Sequence, residues 1–138
     1  MIYVPDTNAF SAYLSGRSAS LTQRMVAAFN AGELRLSVMV MAELAFGAEK
    51  ARTALGNAKF GRRLETLRKQ MEVTPLGAEF PSHYANVRVG LEAVGLKIGD
   101  RDTIIAAHAL AIDGILVTRN EAKFSRVKGL KVENWELC

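Results

Sequence analysis

The feature that most constrains this fold is the alternation of short apolar runs with longer stretches of helical periodicity. Apolar runs at residues 2–4, 34–39 and 115–118 have the length of buried strands, and each is followed by a segment with helical spacing of its apolar residues. Strands that alternate with helices form right-handed crossovers and a parallel sheet. The sequence therefore predicts an α/β protein whose functional residues lie beyond the carboxyl ends of the strands.

The other elements follow from the same periodicity and from the residues that end each segment. Helices are predicted over residues 20–31, 42–55, 60–71, 80–94 and 102–112, a short helical turn at 121–124, and further strands at 73–75 and 130–132. A helix is also expected after Pro5 and Asp6, capped by Asn8 or a neighbour. Asp100 is predicted to cap the apolar helix that follows it.

Length and cysteine content narrow the class of protein. The 138 residues correspond to a single domain, expected to span residues 1–138, and the one cysteine, Cys138, excludes an internal disulfide framework. The start of the chain lacks the pattern of a signal peptide, and no apolar run approaches the ~20 residues that span a bilayer. We therefore expect no membrane association and a cytoplasmic location.

The chain is basic, with a net charge of +4, which is compatible with a polyanionic partner. Six basic residues fall close together, namely Arg52, Lys59, Arg62, Arg63, Arg68 and Lys69. This cluster could track phosphates or form an ordinary solvated helix face, and the sequence does not distinguish the two.

Acidic residues fall at equivalent ends of separate strand–helix units. Asp6 follows the first predicted strand, Glu43 lies early in the helix after the second, and Asp102 opens an apolar helix. A carboxylate cluster is costly unless cations neutralise it, and all-oxygen ligands favour Mg²⁺ or Mn²⁺, which can activate water against a phosphodiester. The alternative is that these acids are turn and cap residues or complement helix dipoles.

Four blocks in order carry a family resemblance. They are I-Y-V-P-D-T-N at residues 2–8, E-L-A-F-G at 43–47, I-G-D-R-D-T-I-I-A-A-H-A at 98–109, and L-V-T-R-N at 116–120 with Phe124, Gly129-Leu130 and Glu133-Asn134-Trp135. Together they resemble the acidic blocks of PIN-domain nucleases over essentially the whole chain. The most similar group is the VapC-like toxins of type II toxin–antitoxin pairs.

The resemblance implies a three-layer α/β/α sandwich with a mostly parallel sheet. It implies an endoribonuclease that depends on Mg²⁺ or Mn²⁺ and cuts structured RNA such as tRNA. It also implies a homodimer that is neutralised by a cognate antitoxin, with operator DNA bound only through that antitoxin.

The resemblance also assigns roles to particular residues. Asp6, Glu43 and Asp102 match the acidic, metal-binding positions, Thr7 and Asn8 are expected to orient Asp6 or a water, and Arg101 and Arg119 could hold RNA phosphates. Two departures stand out. The fourth acidic position falls at Asn120, an uncharged amide that Glu121 could replace, and Pro5 stands where a strand residue would donate a ladder bond.

Three alternatives stay open at this stage. The chain could be a catalytically weak PIN domain that binds RNA or a protein, a reading that Asn120 favours. It could be a DNA-directed nuclease, although it is short for the clamping elements that such enzymes need. It could be a structural protein whose carboxylates are caps.

His108, on the apolar helix, is expected to be a hydrogen-bonded core residue, and Trp135 is expected to pack at the sheet edge.

Overall fold

A computed structural model describes residues 1–136, so that Leu137 and the lone Cys138 lie outside the described residues. Its strands are β1 (Tyr3–Pro5), β2 (Leu36–Ser37), β3 (Val73–Thr74), β4 (Ile115–Val117) and β5 (Lys131–Glu133). Its helices are α1 (Thr7–Ser15), α2 (Ala19–Asn30), α3 (Val38–Leu55), α4 (Lys59–Gln70), α5 (Phe80–Ala93), α6 (Asp100–Ala111) and α7 (Glu121–Phe124).

All the strand pairs are parallel, as predicted. One sheet has the order β1-β4-β5, β2 pairs with β3, and a bridge between Tyr3 and Leu34 connects the two sheets. In register, Pro5 pairs with Val117 and Val117 pairs with Glu133. The carboxyl ends of β1, β4 and β5 therefore meet at one edge.

The central strand β4 is buried at every position, from Ile115 to Val117. Because successive strand residues point to opposite faces, both faces of the sheet must be covered. The predicted α/β/α arrangement with a parallel sheet is confirmed. The turn into β4 brings Gly114 against β1, where an added Cβ would lie 2.7 Å from Cγ2 of the fully buried Val4. Only glycine fits here without displacing the stiff valine.

The predicted strand at 34–39 is wrong in its second half. Strand β2 ends at Ser37, and helix α3 begins at Val38. Ser37 adopts extended backbone angles, and its side chain accepts a hydrogen bond from the Met39 amide as the N-cap. The apolar run around Val38 hid this boundary, because short apolar runs suit a buried strand and a buried helix equally well.

Two further cap assignments are settled by the structure. Asp6 is the cap of α1. The sequence had predicted Asn8 or a neighbour as this cap, so the neighbour is the correct choice. The prediction that Asp100 caps α6 is wrong, because Gly99 at φ 99° is the cap residue and Asp100 is already the first helical residue. The remaining elements lie within about two residues of their predicted limits.

Pro5 causes no loss in the ladder to β4. The amide of Tyr3 donates to Glu33 on the β2 side, whereas the amide of Asp6 donates to Val117 at 2.9 Å on the β4 side. Because strand amides alternate in direction, the missing donor of Pro5 points toward the β2 side, like that of Tyr3. The ladder to β4 therefore continues through Asp6.

Both predicted packing residues are buried as expected. His108 is fully buried on α6, and Trp135 is 3% exposed. The Trp135 ring meets Tyr3 of β1 edge to face at 5.0 Å, and the Arg24 guanidinium lies 4.8 Å from its centroid. These contacts hold the chain after β5 against the edge of the sheet. Among residues 1–136, none of the helices has the length and apolar character needed to cross a membrane.

Candidate active site

Asp6 is the most buried acid of the predicted site, with 5% of its surface exposed. Its carboxylate accepts a hydrogen bond from the Ala9 amide at 2.8 Å as the cap of α1. Burial raises the pKa of Asp6, hydrogen bonds from Thr118 and Ala9 oppose that rise, and the charges of Asp102 and Glu136 add to it. A cation at this point would relieve both the desolvation and the repulsion.

Glu43 lies in the second turn of α3 and is half-buried. Its carboxylate accepts a hydrogen bond from the Thr7 hydroxyl at the start of α1, and its other oxygen lies 3.7 Å from the Arg101 guanidinium. Glu43 thus joins α1 and α6 to α3. The predicted orienting role of Thr7 therefore has an observed partner, Glu43, which is not the Asp6 carboxylate that the sequence suggested.

Asp102 lies in the first turn of α6, close enough to Asp6 for its charge to affect the pKa of Asp6. One of its oxygens lies 2.7 Å from Nζ of Lys123 on α7. The structure thus brings Asp6, Glu43 and Asp102 to one edge of the sheet, and it supplies each of the last two with a basic partner.

Asn120 makes no hydrogen bond to these acids within residues 1–136. Its side-chain oxygen accepts a hydrogen bond from the backbone amide of Lys123 at 3.3 Å, which makes Asn120 the cap of α7. The backbone amide of Asn120 donates to the Thr118 hydroxyl at 3.0 Å. Glu121 is exposed in the first turn of the same helix. The role of either residue as the fourth member of the site stays a prediction.

The other predicted polar residues lie at the surface. Asn8 and Arg119 are exposed, and no salt bridge of Arg119 occurs within residues 1–136. In the basic cluster between residues 52 and 69, Arg52 and Arg68 pair with glutamates on their own helices, and Arg63 donates to the Leu14 carbonyl. These pairs weaken the interpretation of that cluster as a continuous phosphate track.

Three residues of this edge were missed by the sequence analysis, namely Thr118, Lys123 and Glu136. Thr118 directly follows β4 and is 1% exposed, and its position after a strand was an available signal. Lys123 gave no signal, because its contact with Asp102 on α6 depends on tertiary packing. Glu136 gave no signal, because its approach to Asp6 depends on the packing of Trp135.

The donor set suits a hard divalent cation, because carboxylate and hydroxyl oxygens are the ligands that Mg²⁺ and Mn²⁺ prefer. Because Asp6 is buried and the charge of Asp102 reaches it, the binding of a positive charge would stabilise the ionised carboxylates. As the side chains stand within residues 1–136, no three Asp, Glu, His or Cys residues are grouped closely enough to ligate one ion. Lys123 and Arg101 instead meet the acids.

Comparison with known proteins places the chain among characterised relatives. The PIN domain profile matches residues 3–130. Ribonuclease VapC2 of Rickettsia felis is 31% identical over 136 residues, covering 99% of each chain, and the tRNA(fMet)-specific endonuclease VapC of Shigella flexneri is 30% identical over 133 residues, covering 96% and 97%. The crystal structure of VapBC2 from Rickettsia felis bound to a promoter DNA fragment matches with a TM-score of 0.86 at 30% identity, covering 98% and 99%.

Proposed function

Because the chain belongs to the PIN-domain family, among its VapC ribonucleases, we propose that it is an endoribonuclease toxin whose activity a cognate antitoxin neutralises. The observation that carries this proposal is the convergence of Asp6, Glu43 and Asp102 at the carboxyl edge of the sheet. Asp6 comes from the end of β1, Glu43 from α3 and Asp102 from α6, and caps or dipole partners alone would not require these acids to share one edge.

Mg²⁺ or Mn²⁺ is the cofactor that we propose for this site, held by Asp6 and Asp102 with Glu43 completing the pocket. When bound, such an ion lowers the pKa of water and stabilises negative charge on a phosphodiester. The protein contributes the positions of the acids. The Thr7 hydroxyl holds Glu43, and Thr118 and the Ala9 amide hold Asp6, so that their oxygens are oriented before the substrate arrives.

Binding of the substrate falls to basic residues around this edge. Arg101 approaches Glu43 and is exposed, and Arg119 is exposed just beyond β4, so both can reach RNA phosphates. We propose structured RNA as the substrate class, with tRNA as the first candidate because one relative is a tRNA(fMet)-specific endonuclease. We assign its action to the cytoplasm, where this substrate is present.

We further propose that the protein acts as a homodimer that binds its antitoxin, and that operator DNA is contacted only through the antitoxin. The support comes from the VapBC2 complex of Rickettsia felis, which was solved on a promoter DNA fragment. The chain is basic, but the proposal needs no DNA contact from it.

The decisive experiment is cleavage of a total tRNA pool by purified, antitoxin-free protein with Mg²⁺, with Mn²⁺ and with EDTA. Discrete cuts are expected with either metal, and no cuts with EDTA or with the Asp6→Asn variant. Asp113→Asn is the matched control, because Asp113 is exposed in the turn before β4, and it should cut like the parent protein. Metal-independent cuts that survive Asp6→Asn would show a contaminant.

A catalytically weak RNA-binding module is the second candidate. It is favoured by Asn120, which caps α7 where a fourth acid would stand, and by the pairing of Asp102 with Lys123. Folded protein that retards tRNA in a gel but leaves it intact with either metal would select this function. Cleavage with Mg²⁺ or Mn²⁺ would exclude it.

A further inference from the structure

Lys123 has a defined place beside the acidic site. Its ammonium nitrogen lies 2.7 Å from an oxygen of Asp102, and both side chains are about one-third exposed, at 32% and 29%. Of the six other ion pairs between side chains within residues 1–136, three, such as that of Arg88 with Glu92, lie within single exposed helices. The Lys123–Asp102 pair instead joins α7 to α6 at the edge where the three carboxylates meet.

The backbone at Lys123 is held in place by its neighbours in the chain. Asn120 caps α7 by accepting the Lys123 amide hydrogen bond, and Phe124, the next residue, is 1% exposed in the core. Thr118, which accepts from the Asn120 amide, also lies against Asp6. The turn that carries Lys123 is therefore anchored to the site on both sides, so its ammonium is held near Asp102 more firmly than a surface lysine would be.

We propose that Lys123 is a built-in cation of this site, which takes the place that a second divalent ion would otherwise fill. The proposal rests on the metal-dependent function proposed above. The ammonium of Lys123 lies against Asp102, and the guanidinium of Arg101 lies near Glu43. With the carboxylate of Asp6, which the charge of Asp102 reaches, these groups leave a net charge of about −1 for metal ions. Asn120 adds no charge, and Glu136, whose charge also reaches Asp6, is paired with Arg17.

This charge balance has two consequences. A net charge of that size favours one divalent ion and disfavours two, because each further ion needs carboxylates to neutralise it. The ammonium also has three hydrogens, of which Asp102 takes one, so it can donate to a phosphate oxygen of RNA beside the acids. Lys123 would then stabilise charge on the substrate as well as on the free site.

Calorimetric titration of the antitoxin-free protein with Mn²⁺ tests this inference without measuring activity. The parent protein should bind one ion per chain. Lys123→Gln should gain a second ion or bind the first about tenfold more tightly, because this variant lacks the positive charge beside the ligand Asp102. Lys123→Arg, which keeps the charge, should resemble the parent protein.

Lys131→Gln is the matched control, because Lys131 is an exposed lysine at the start of β5, the opposite end of the sheet from the acids. It should leave stoichiometry and affinity unchanged, and circular dichroism of each variant should show the parent fold. A parent protein that binds two ions, or a Lys123→Gln variant with unaltered binding, would overturn this inference alone. No Mn²⁺ binding by any of the proteins would overturn the metal-dependent function and this inference with it.

Discussion

The hydroxyl of Thr7, the first residue of α1, donates a hydrogen bond to Glu43 in the second turn of α3. This bond holds one oxygen of the Glu43 carboxylate, and Arg101 lies near the other. Groups that orient a metal-binding residue typically contribute about 10–100-fold to activity. We therefore expect Thr7→Val to lower the rate of tRNA cleavage by about that factor, while Thr7→Ser stays close to the parent rate.

The control for hydroxyl loss is Thr66→Val on α4, where the hydroxyl donates only to the Arg62 carbonyl of its own helix. Its cleavage rate should not change. If Thr7→Val and Thr66→Val cut equally well, Thr7 has no orienting role.

Asp6 is expected to lower the stability of the metal-free protein. Burial raises its folded pKa above the unfolded value, so the folded state binds a proton more readily, and the free energy of unfolding falls as pH rises from the unfolded pKa through the folded one. Asp6→Asn removes that penalty, and asparagine caps a helix as well as aspartate does. The variant should be more stable at pH 7 by about 0.5–2 kcal/mol, measured by urea denaturation.

Asp113→Asn again serves as the control, with a change of less than about 0.5 kcal/mol at this exposed position. Added Mn²⁺ should stabilise the parent protein and leave Asp6→Asn nearly unaffected, because only binding to the folded state raises stability. An Asp6→Asn variant that is less stable than the parent without metal would contradict the destabilising effect expected of the buried Asp6 carboxylate.

Asn120 is expected to act through α7 and not as a metal ligand. Asn120→Ala removes the cap and should cost about 0.5–2 kcal/mol of stability, while its affinity for Mn²⁺ stays within about twofold of the parent. Asn120→Asp keeps the cap and adds a charge, so it should bind Mn²⁺ more tightly. A tenfold loss of Mn²⁺ affinity in Asn120→Ala would instead make Asn120 the ligand that its place in the fourth block predicted.

The sequence predicted the positions that the backbone alone determines. Asp6 was found because it follows the first strand, and Glu43 because it follows a strand–helix junction. Asp102 was found because it opens an apolar helix within the third block of the family resemblance. The hydrogen-bond partners of these acids could not be predicted. Lys123 and Glu136 reach the site only because α7 and the chain after β5 are anchored by buried aromatic residues, Phe124 and Trp135.

The same distinction explains the errors at helix starts. The start of α3 at Val38 depends on the backbone angles of Ser37, and the start of α6 depends on the positive φ of Gly99. Both are properties of single residues in their tertiary setting. Apolar periodicity locates a helix, but it does not determine the turn at which the helix begins.

Arg119 is expected to contribute to RNA binding by charge alone. It is exposed just beyond the carboxyl end of β4. Arg119→Gln should weaken the binding of tRNA in EDTA and reduce the slope of log affinity against log salt by about 0.7–0.9, the value for one phosphate contact. Lys131→Gln, at the other end of the sheet, should preserve the slope, and an unchanged slope in Arg119→Gln would exclude this contact.

His108 links three elements in the core. Its Nε2 donates to the Pro75 carbonyl at 2.9 Å, and in the neutral ring Nδ1 accepts a hydrogen bond from the Ser37 hydroxyl at 2.7 Å. Ser37 caps α3, which carries Glu43, while His108 itself lies on α6, which carries Asp102. Burial lowers the pKa of His108, which favours this neutral form.

Acidification should therefore destabilise the protein through His108. Its folded pKa lies below the unfolded value of about 6.5, so between these two values the unfolded chain holds a proton that the folded chain does not. The stability it contributes is complete above pH 6.5 and is lost as pH falls, with a limiting slope of about 1.4 kcal/mol per pH unit. His108→Gln should be less stable at pH 7.5 by about 1–3 kcal/mol but should lack this slope. Urea denaturation from pH 7.5 to 5 measures both quantities, with His83→Gln as the control that retains the slope because His108 is still present. A parent protein whose stability is flat over this range would show that the pKa of His108 is the same in the folded and unfolded chain.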